Sequence, residues 1–207
     1  MESIITKFKN YFKKTKLYPY LLWIKFVYFL RKNPDKTPSF LEKRDFIVKL
    51  AKETKIPVFI ETGTYLGDMI YSVKDIFKEI YSIELDKKLA ERANKIFKKY
   101  NHIHIINGDS SEVLPKLLLK INRPVQFWLD AHYSGGITTK GDRETPILEE
   151  LNSILNWWIN GSIILIDDAR LFKKENDWPE IRKIFSFINK KNQKLRIEII
   201  NDIIMIK

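Results

Sequence analysis

Five apolar segments of this chain each end in acidic side chains. The segments are IPVFIE, EIYSIELD, HIHIINGD, VQFWLD and GSIILIDD, and their terminal acids are Glu61, Glu84 with Asp86, Asp109, Asp130, and Asp167 with Asp168. One such acid is ordinary, because a carboxylate after a strand often caps the next helix. Acids after all five segments indicate a ligand site, provided that the fold brings the five ends together.

A pair of glycines follows the first of these acids. In the stretch FIETGTYLGD, Gly63 and Gly67 lie four positions apart, in a chain with 7 glycines among 207 residues. The spacing indicates a tight turn where a ligand approaches the backbone, but it differs from the dinucleotide fingerprint G-x-G-x-x-G. Glu61 would repel a pyrophosphate and attract an ammonium group, and Glu84 is placed to accept hydrogen bonds from ribose hydroxyls. These residues predict a nucleoside-like ligand that carries an ammonium group.

The segments around these residues predict how they are positioned. From about Lys43 onwards, helical patterns alternate with short apolar strands, and the end of the chain, LRIEIINDIIMIK, reads as two strands. This order predicts an α/β fold, a doubly wound and mostly parallel seven-stranded sheet with a closing antiparallel hairpin. Such sheets bind ligands beyond the carboxyl ends of their strands. We expect residues 41–207 to form this domain and residues 1–40 to form a basic, aromatic helical extension.

Composition restricts the partners and the compartment. The chain has no cysteine, which excludes disulfides and thiolate metal sites and favours a reducing, cytoplasmic setting. A net charge of +11 favours an anionic partner, or else reflects a well-solvated lysine-rich surface. Residues 1–36 read either as an amphipathic anchor on an anionic membrane, at its inner face, or as a helical cap that packs on the domain or on a second subunit. Pro19 and Lys25 interrupt the apolar stretch, which argues against a transmembrane helix.

From about Phe59 to its end, the chain resembles class I S-adenosylmethionine-dependent methyltransferases. IETGTYLGD is similar to their glycine motif, IELD to the motif with the ribose-binding acid, and NGDS to the third-strand motif whose acid faces the adenine. The resemblance implies S-adenosylmethionine as cofactor. The cofactor-binding residues that it implies are Glu61, Thr62, Gly63, Thr64, Tyr65, Gly67, Glu84, Asp109, Ser110 and Asp130.

Two further motifs, WLDAH and LIDDAR, are similar to those of metal-dependent O-methyltransferases of the catechol and macrolide-sugar type. The resemblance implies that Asp130, Asp167 and Asp168 bind magnesium. Three converging carboxylates would repel one another unless a cation or protons intervened, and an all-oxygen ligand set suits Mg²⁺. The alternative is that Asp168 caps a helix and that only one carboxylate is functional.

The best general-base candidate is His132, two residues after Asp130, which is itself the other catalytic candidate. The catechol enzymes use a lysine just after the metal-binding aspartate, whereas the first lysine after Asp130 here is Lys140. His132 would otherwise be an ordinary hydrogen-bonding residue.

Three functions are compatible with these features. The first is metal-assisted O-methylation of a hydroxyl on a small molecule or glycan, including a lipid-linked or phosphorylated sugar. The second is methylation of a nucleic acid, which the positive charge favours, although no NPPY-like motif follows the fourth strand. The third is a non-catalytic, membrane-associated module that retains the fold. A homo-oligomer is compatible with each of them.

Overall fold

The computed structural model describes residues 38–131, 145–173 and 178–207, which form one seven-stranded sheet with α-helices on both faces. The strands are β1 (Val58–Thr62), β2 (Glu79–Glu84), β3 (Ile103–Asn107), β4 (Val125–Leu129), β5 (Ile163–Ile166), β6 (Ile197–Ile200) and β7 (Ile203–Ile206). Their order in the sheet is β3-β2-β1-β4-β5-β7-β6. The first five pair in parallel, and β7 runs antiparallel to both β5 and β6. The predicted sheet and its closing hairpin are therefore confirmed.

Within the described ranges, one α-helix precedes β1 and five more connect the strands. They are α1 (Phe40–Thr54), α2 (Asp68–Val73), α3 (Lys87–Phe97), α4 (Ser110–Leu118), α5 (Ile147–Trp157) and α6 (Ile181–Lys191). A single 3-10 turn, Ala169–Leu171, follows β5. None of the described helices is long and apolar enough to cross a lipid bilayer.

The strands are apolar on both faces because helices cover the sheet on both sides. Consecutive side chains of a strand point to opposite faces, and the core is divided accordingly. Ile60 and Phe127 pack in the cluster on one side of the sheet, whereas Phe59 and Trp128 pack on the other side. All four are at most 2% exposed. Burial on both faces holds the central strands rigidly, and with them the residues at their ends.

The carboxyl ends of β1, β4 and β5 lie side by side. The Asp130 backbone N–H donates to the Thr62 carbonyl at 3.0 Å, and the Asp167 N–H donates to the Leu129 carbonyl at 3.0 Å. The β1–β4 junction is also where the strand order reverses direction, the point at which open α/β sheets bind ligands. The predicted site therefore lies at one edge of the sheet.

Candidate functional site

The glycine turn after β1 is required by the chain's own backbone. Gly63 has a φ of +90°, and a β-carbon there would lie 2.5 Å from the Asp130 carbonyl oxygen. Gly67 has a φ of +85°, and its β-carbon would lie 2.8 Å from the Phe97 ring. Both conformations are costly for residues with side chains. The two glycines allow the loop to pass directly over the ends of β4 and α3.

The Glu84 carboxylate at the end of β2 is held by two backbone N–H groups. Its Oε2 accepts from Tyr65 N–H at 2.8 Å, and its Oε1 accepts from Asp86 N–H at 2.9 Å. Glu84 is only 7% exposed. The first bond ties the carboxylate to the glycine turn, where Tyr65 adopts a φ of +47°. Because each oxygen accepts one bond here, each retains a lone pair for a ligand hydroxyl.

Glu61 is a buried carboxylate whose charged neighbours favour a cationic ligand. Its Oε2 accepts from the Ser82 hydroxyl at 2.6 Å, and the Thr64 hydroxyl lies 2.6 Å from that of Ser82. Burial raises the pKa of Glu61 well above its ordinary value, and the negative charges of Asp130 and Glu84 raise it further. A positive group bound at this position would relieve both the burial and the repulsion.

Two of the strand-end acids do cap helices. Asp109 precedes α4, and its Oδ1 accepts from the backbone N–H of Ser111 at 2.8 Å and from the Ser111 hydroxyl at 2.6 Å. Asp86 accepts from Leu89 N–H at 2.9 Å at the start of α3. Ser110, the first residue of α4, is buried. Helix capping therefore explains part of the acid pattern that the sequence displays.

The acids at the end of β5 are bound by cationic side chains. Lys43 Nζ lies 2.5 Å from Asp167 Oδ1 and 2.6 Å from Asp168 Oδ1. Arg170 Nη1 also donates to Asp168 Oδ1, at 2.6 Å, and pairs with Asp202 in the β6–β7 turn. Asp167, Asp168 and Asp202 are buried, at 8%, 7% and 3% exposed as whole residues. A network of buried ion pairs therefore lies beside the carboxyl ends of the strands, where the ligand site is predicted.

Electrostatics within this network follow from its geometry. Burial alone would lower the pKa of Lys43, but Asp167 and Asp168 raise it overall. Burial alone would raise the pKa of Asp168, but Lys43 and Arg170 lower it overall. Burial and the charges of Asp130 and Asp168 raise the pKa of Asp167 to about 7, although Lys43 acts in the opposite direction.

The predicted magnesium ligands do not fit a metal ion in this arrangement. The Lys43 ammonium lies between the carboxylates of Asp167 and Asp168, on the oxygens that a cation would use. Asp168 adopts a φ of +52°, and its side chain makes no capping bond to the 3-10 turn that follows. Among the described residues, no group of three His, Asp or Glu side chains is arranged to hold a metal. The magnesium site at Asp130, Asp167 and Asp168 therefore stays a prediction from the sequence motifs, and His132 lies outside the described residues.

A residue that the sequence reasoning missed, Glu150, lies on the buried face of α5. It is 1% exposed, and burial raises its pKa to about 7. The Ser110 and Thr62 hydroxyls lower this pKa in part. Glu150 Oε1 has no hydrogen-bond partner among the described residues. Together with Asp130 and Asp167, it lines a small cavity.

Lys43 is the other missed residue, and the sequence did contain a signal for it. Lys43 stands four residues before Ile47 and eight before Ala51, so it lies on the buried face of α1. A lysine in phase with an apolar stripe requires an acidic partner inside the fold. The spacing indicates the need for that partner but does not identify it.

Solved structures of methyltransferases share this architecture. The Podospora anserina methyltransferase PaMTH1, bound to S-adenosylhomocysteine, is 17% identical with a TM-score of 0.59, over 82% of this chain and 79% of that one. A Bacillus cereus O-methyltransferase in complex with S-adenosylhomocysteine is 12% identical with a TM-score of 0.61, over 85% and 84%. An rRNA methylase from Streptococcus thermophilus is 12% identical with a TM-score of 0.53, over 84% and 97%. The chain has the methyltransferase fold. No protein-family model matches it.

Proposed function

We propose that this chain is an S-adenosylmethionine-dependent methyltransferase that methylates a hydroxyl group of a small molecule or glycan. The observation that carries the proposal is the Glu84 carboxylate, fixed by two backbone N–H groups at the end of β2. It is buried, oriented and still able to accept from two neighbouring hydroxyls, which is the arrangement that a ribose requires.

Glu61 supports the same ligand from the other end of the glycine turn. A buried carboxylate beside Asp130 and Glu84 is costly when it is ionised alone. The ammonium of an amino-acid moiety supplies the missing positive charge. A ribose at Glu84 and an ammonium at Glu61 together describe S-adenosylmethionine, the cofactor that the sequence resemblance implies. The residues present therefore fit this cofactor.

The cofactor supplies an electrophilic methyl group on a positively charged sulfur. The chain's part is to hold the acceptor hydroxyl in line with that methyl group and to remove its proton. Asp130 follows β4 directly beside Gly63, and we assign it to positioning and deprotonation, together with His132 on the basis of its sequence position alone. The +11 charge favours a phosphorylated or lipid-linked sugar as acceptor.

Magnesium has no step in this proposal. Converging carboxylates at strand ends repel one another unless a cation or protons intervene, and the Lys43 ammonium lies between Asp167 and Asp168. Activation of the hydroxyl is therefore assigned to side chains of the protein.

Methylation of a nucleic acid is the second candidate, because the net charge is +11 and the fold is shared with an rRNA methylase. Binding to RNA that weakens steeply with added salt, together with methyl transfer to RNA, would favour it. A nucleic-acid substrate would change the acceptor but leave the cofactor site as described.

For residues 1–36, which lie outside the described ranges, we propose contact with an anionic membrane at its inner face, or with a second subunit. The proposal rests on the basic and aromatic pattern of the segment alone.

Calorimetric titration with S-adenosylmethionine tests the cofactor assignment. Glu84→Ala should weaken binding by about 1.5–3 kcal/mol, the scale of hydrogen bonds to a charged acceptor. Glu79→Ala is the matched control, because Glu79 begins the same strand and pairs with Arg123 at the opposite edge. Unchanged affinity in a folded Glu84→Ala protein would overturn the assignment. Transfer of a radiolabelled methyl group to glycans, catechols and RNA then identifies the acceptor class.

A further inference from the structure

We propose that Lys43 supplies the positive charge that the aspartates ending β5 would otherwise take from a divalent cation, so that the site operates without a bound metal. The sequence motifs around Asp130, Asp167 and Asp168 imply a metal, whereas the structure places the Lys43 ammonium on two of these carboxylates. Its consequence for catalysis rests on the proposed function, whereas the charge arrangement itself does not.

Lys43 is held in place by the helix that carries it. Helix α1 begins with a capping box, in which the Ser39 side chain accepts from Glu42 N–H and the Glu42 side chain accepts from Ser39 N–H. Lys43 follows at once, and Ile47 and Ala51 continue its face into the core. Lys43 is 6% exposed overall. A lysine normally extends its ammonium to water, but here the packing of α1 directs it onto the ends of the strands.

The ammonium lies where a metal would have to lie. Its Nζ is 2.5 Å from Asp167 Oδ1, 2.6 Å from Asp168 Oδ1 and 3.9 Å from Asp202 Oδ2. Mg²⁺ requires oxygen ligands at about 2.0–2.1 Å in a nearly octahedral arrangement. A metal on the same two oxygens would displace Lys43 into an apolar layer, leaving a buried ammonium without its counter-ions.

The cations of the network already offset most of the charge of its carboxylates. Asp167, Asp168 and Asp202 contribute three carboxylates, and Lys43 and Arg170 contribute two cations in contact with them. Lys43 bridges the two consecutive aspartates, and Arg170 bridges Asp168 to the β6–β7 turn. The same contacts therefore offset two of the three carboxylate charges and join α1 to the closing hairpin.

Direct measurement of metal binding to the full chain tests the proposal without any assay of methyl transfer. Mn²⁺ is the probe, followed by its paramagnetic resonance signal and by calorimetry, with Mg²⁺ as competitor. The wild-type protein is expected to bind no Mn²⁺ at this site at millimolar concentration, and its midpoint of thermal unfolding should be the same in Mg²⁺ and in chelator. Binding of Mn²⁺ by wild type that Asp167→Asn abolishes would overturn the proposal.

Removal of the ammonium should create the metal site. Lys43→Met keeps much of the side-chain volume, and we expect it to raise the affinity for Mn²⁺ by at least about tenfold, because carboxylates without a counter-ion recruit one. Mn²⁺ or Mg²⁺ should then raise the thermal midpoint of the variant. Lys49→Met, on an exposed part of the same helix, removes the same charge and should leave metal binding as in wild type. A folded Lys43→Met protein that is as stable as wild type and binds no Mn²⁺ would also overturn the proposal.

A second variant covers the case in which Lys43→Met does not fold. Lys43→Met combined with Asp168→Asn removes one charge of each sign and should regain much of the lost stability if the pair is the source of the defect. Failure to regain any stability would contradict the ion-pair role. S-adenosylmethionine binding to the wild type, measured in chelator, separates failure of this proposal from failure of the proposed function. A wild-type protein that binds neither the cofactor nor a metal refutes the proposed function and leaves the role of Lys43 unaffected.

Discussion

Replacement of Glu150 by glutamine should stabilise the protein at neutral and alkaline pH. Glu150 lies on the buried face of α5, is 1% exposed, and its Oε1 has no hydrogen-bond partner among the described residues. Burial raises the pKa of its carboxyl from the ordinary 4.5 to about 7. The native state therefore keeps Glu150 protonated at pH values where the unfolded chain has already ionised it.

The sign follows from the proton counts of the two states. Between pH 4.5 and about 7 the native state holds a proton that the unfolded state has lost, so the free energy of unfolding falls as the pH rises. Above about 7 both states are ionised and the loss is complete. The difference between 4.5 and about 7, at about 1.36 kcal/mol per pH unit, corresponds to about 3 kcal/mol.

Glutamine resembles the protonated carboxyl in shape and carries no charge to bury. The gain in the free energy of unfolding for Glu150→Gln should therefore be about 1 kcal/mol at pH 5 and about 3 kcal/mol at pH 8. Urea unfolding of both proteins at intervals from pH 5 to 8 measures this gain. The comparison requires that the free energy of unfolding falls with urea concentration at the same slope in both proteins.

Glu149→Gln is the matched control, because it removes the same charge one residue earlier on the same helix from a partly exposed side chain. This control shows how much stability changes when a charge is lost near the start of the helix, so that the remaining effect of Glu150→Gln can be attributed to burial. A gain for Glu150→Gln that does not change between pH 5 and pH 8 would refute the reasoning. A loss of stability at pH 8 would show instead that the carboxylate has a partner that stabilises its ionised form.

Three further predictions concern the ligand edge and the start of the chain. The affinity for S-adenosylmethionine should rise as the pH rises above the ordinary titration range of a glutamate, with release of a proton detected by calorimetry in two buffers, because burial raises the pKa of Glu61 and only its ionised form attracts an ammonium. Affinity that falls as the pH rises there would contradict the assignment. Gly63→Ala should destabilise the fold by about 1–3 kcal/mol and weaken cofactor binding, because the φ of +90° at Gly63 and its closeness to the Asp130 carbonyl exclude a β-carbon. Urea unfolding measures the loss of stability, and calorimetry measures the loss of cofactor affinity. Deletion of residues 1–36 should leave cofactor affinity nearly unchanged while it alters liposome pelleting or the oligomeric state; loss of cofactor binding by a folded truncated chain would place that segment in the site.

Local patterns in the sequence were sufficient for the architecture. Alternation of helical and strand periodicity predicts the parallel sheet, and the Asn201–Asp202 break in the final apolar run predicts the closing hairpin. The same patterns place Glu61 and Glu84 at strand ends, because a parallel sheet gathers the carboxyl ends of its strands at one edge. Each of these features depends on residues that are close in sequence, where spacing alone determines which face and which end a side chain occupies.

Partners distant in sequence were decided only by the tertiary structure. Lys43 binds Asp168 across 125 positions of the chain, and no local pattern relates the two residues. The motifs imply a metal at the aspartates after β5, and that metal stays a prediction. The contact between Lys43 and these aspartates depends on how α1 packs beside β5 and β7, which brings the ammonium within 2.6 Å of both carboxylates. Glu150 is a similar case, because the burial of α5 against the sheet, and not the sequence around it, determines the pKa of its carboxyl.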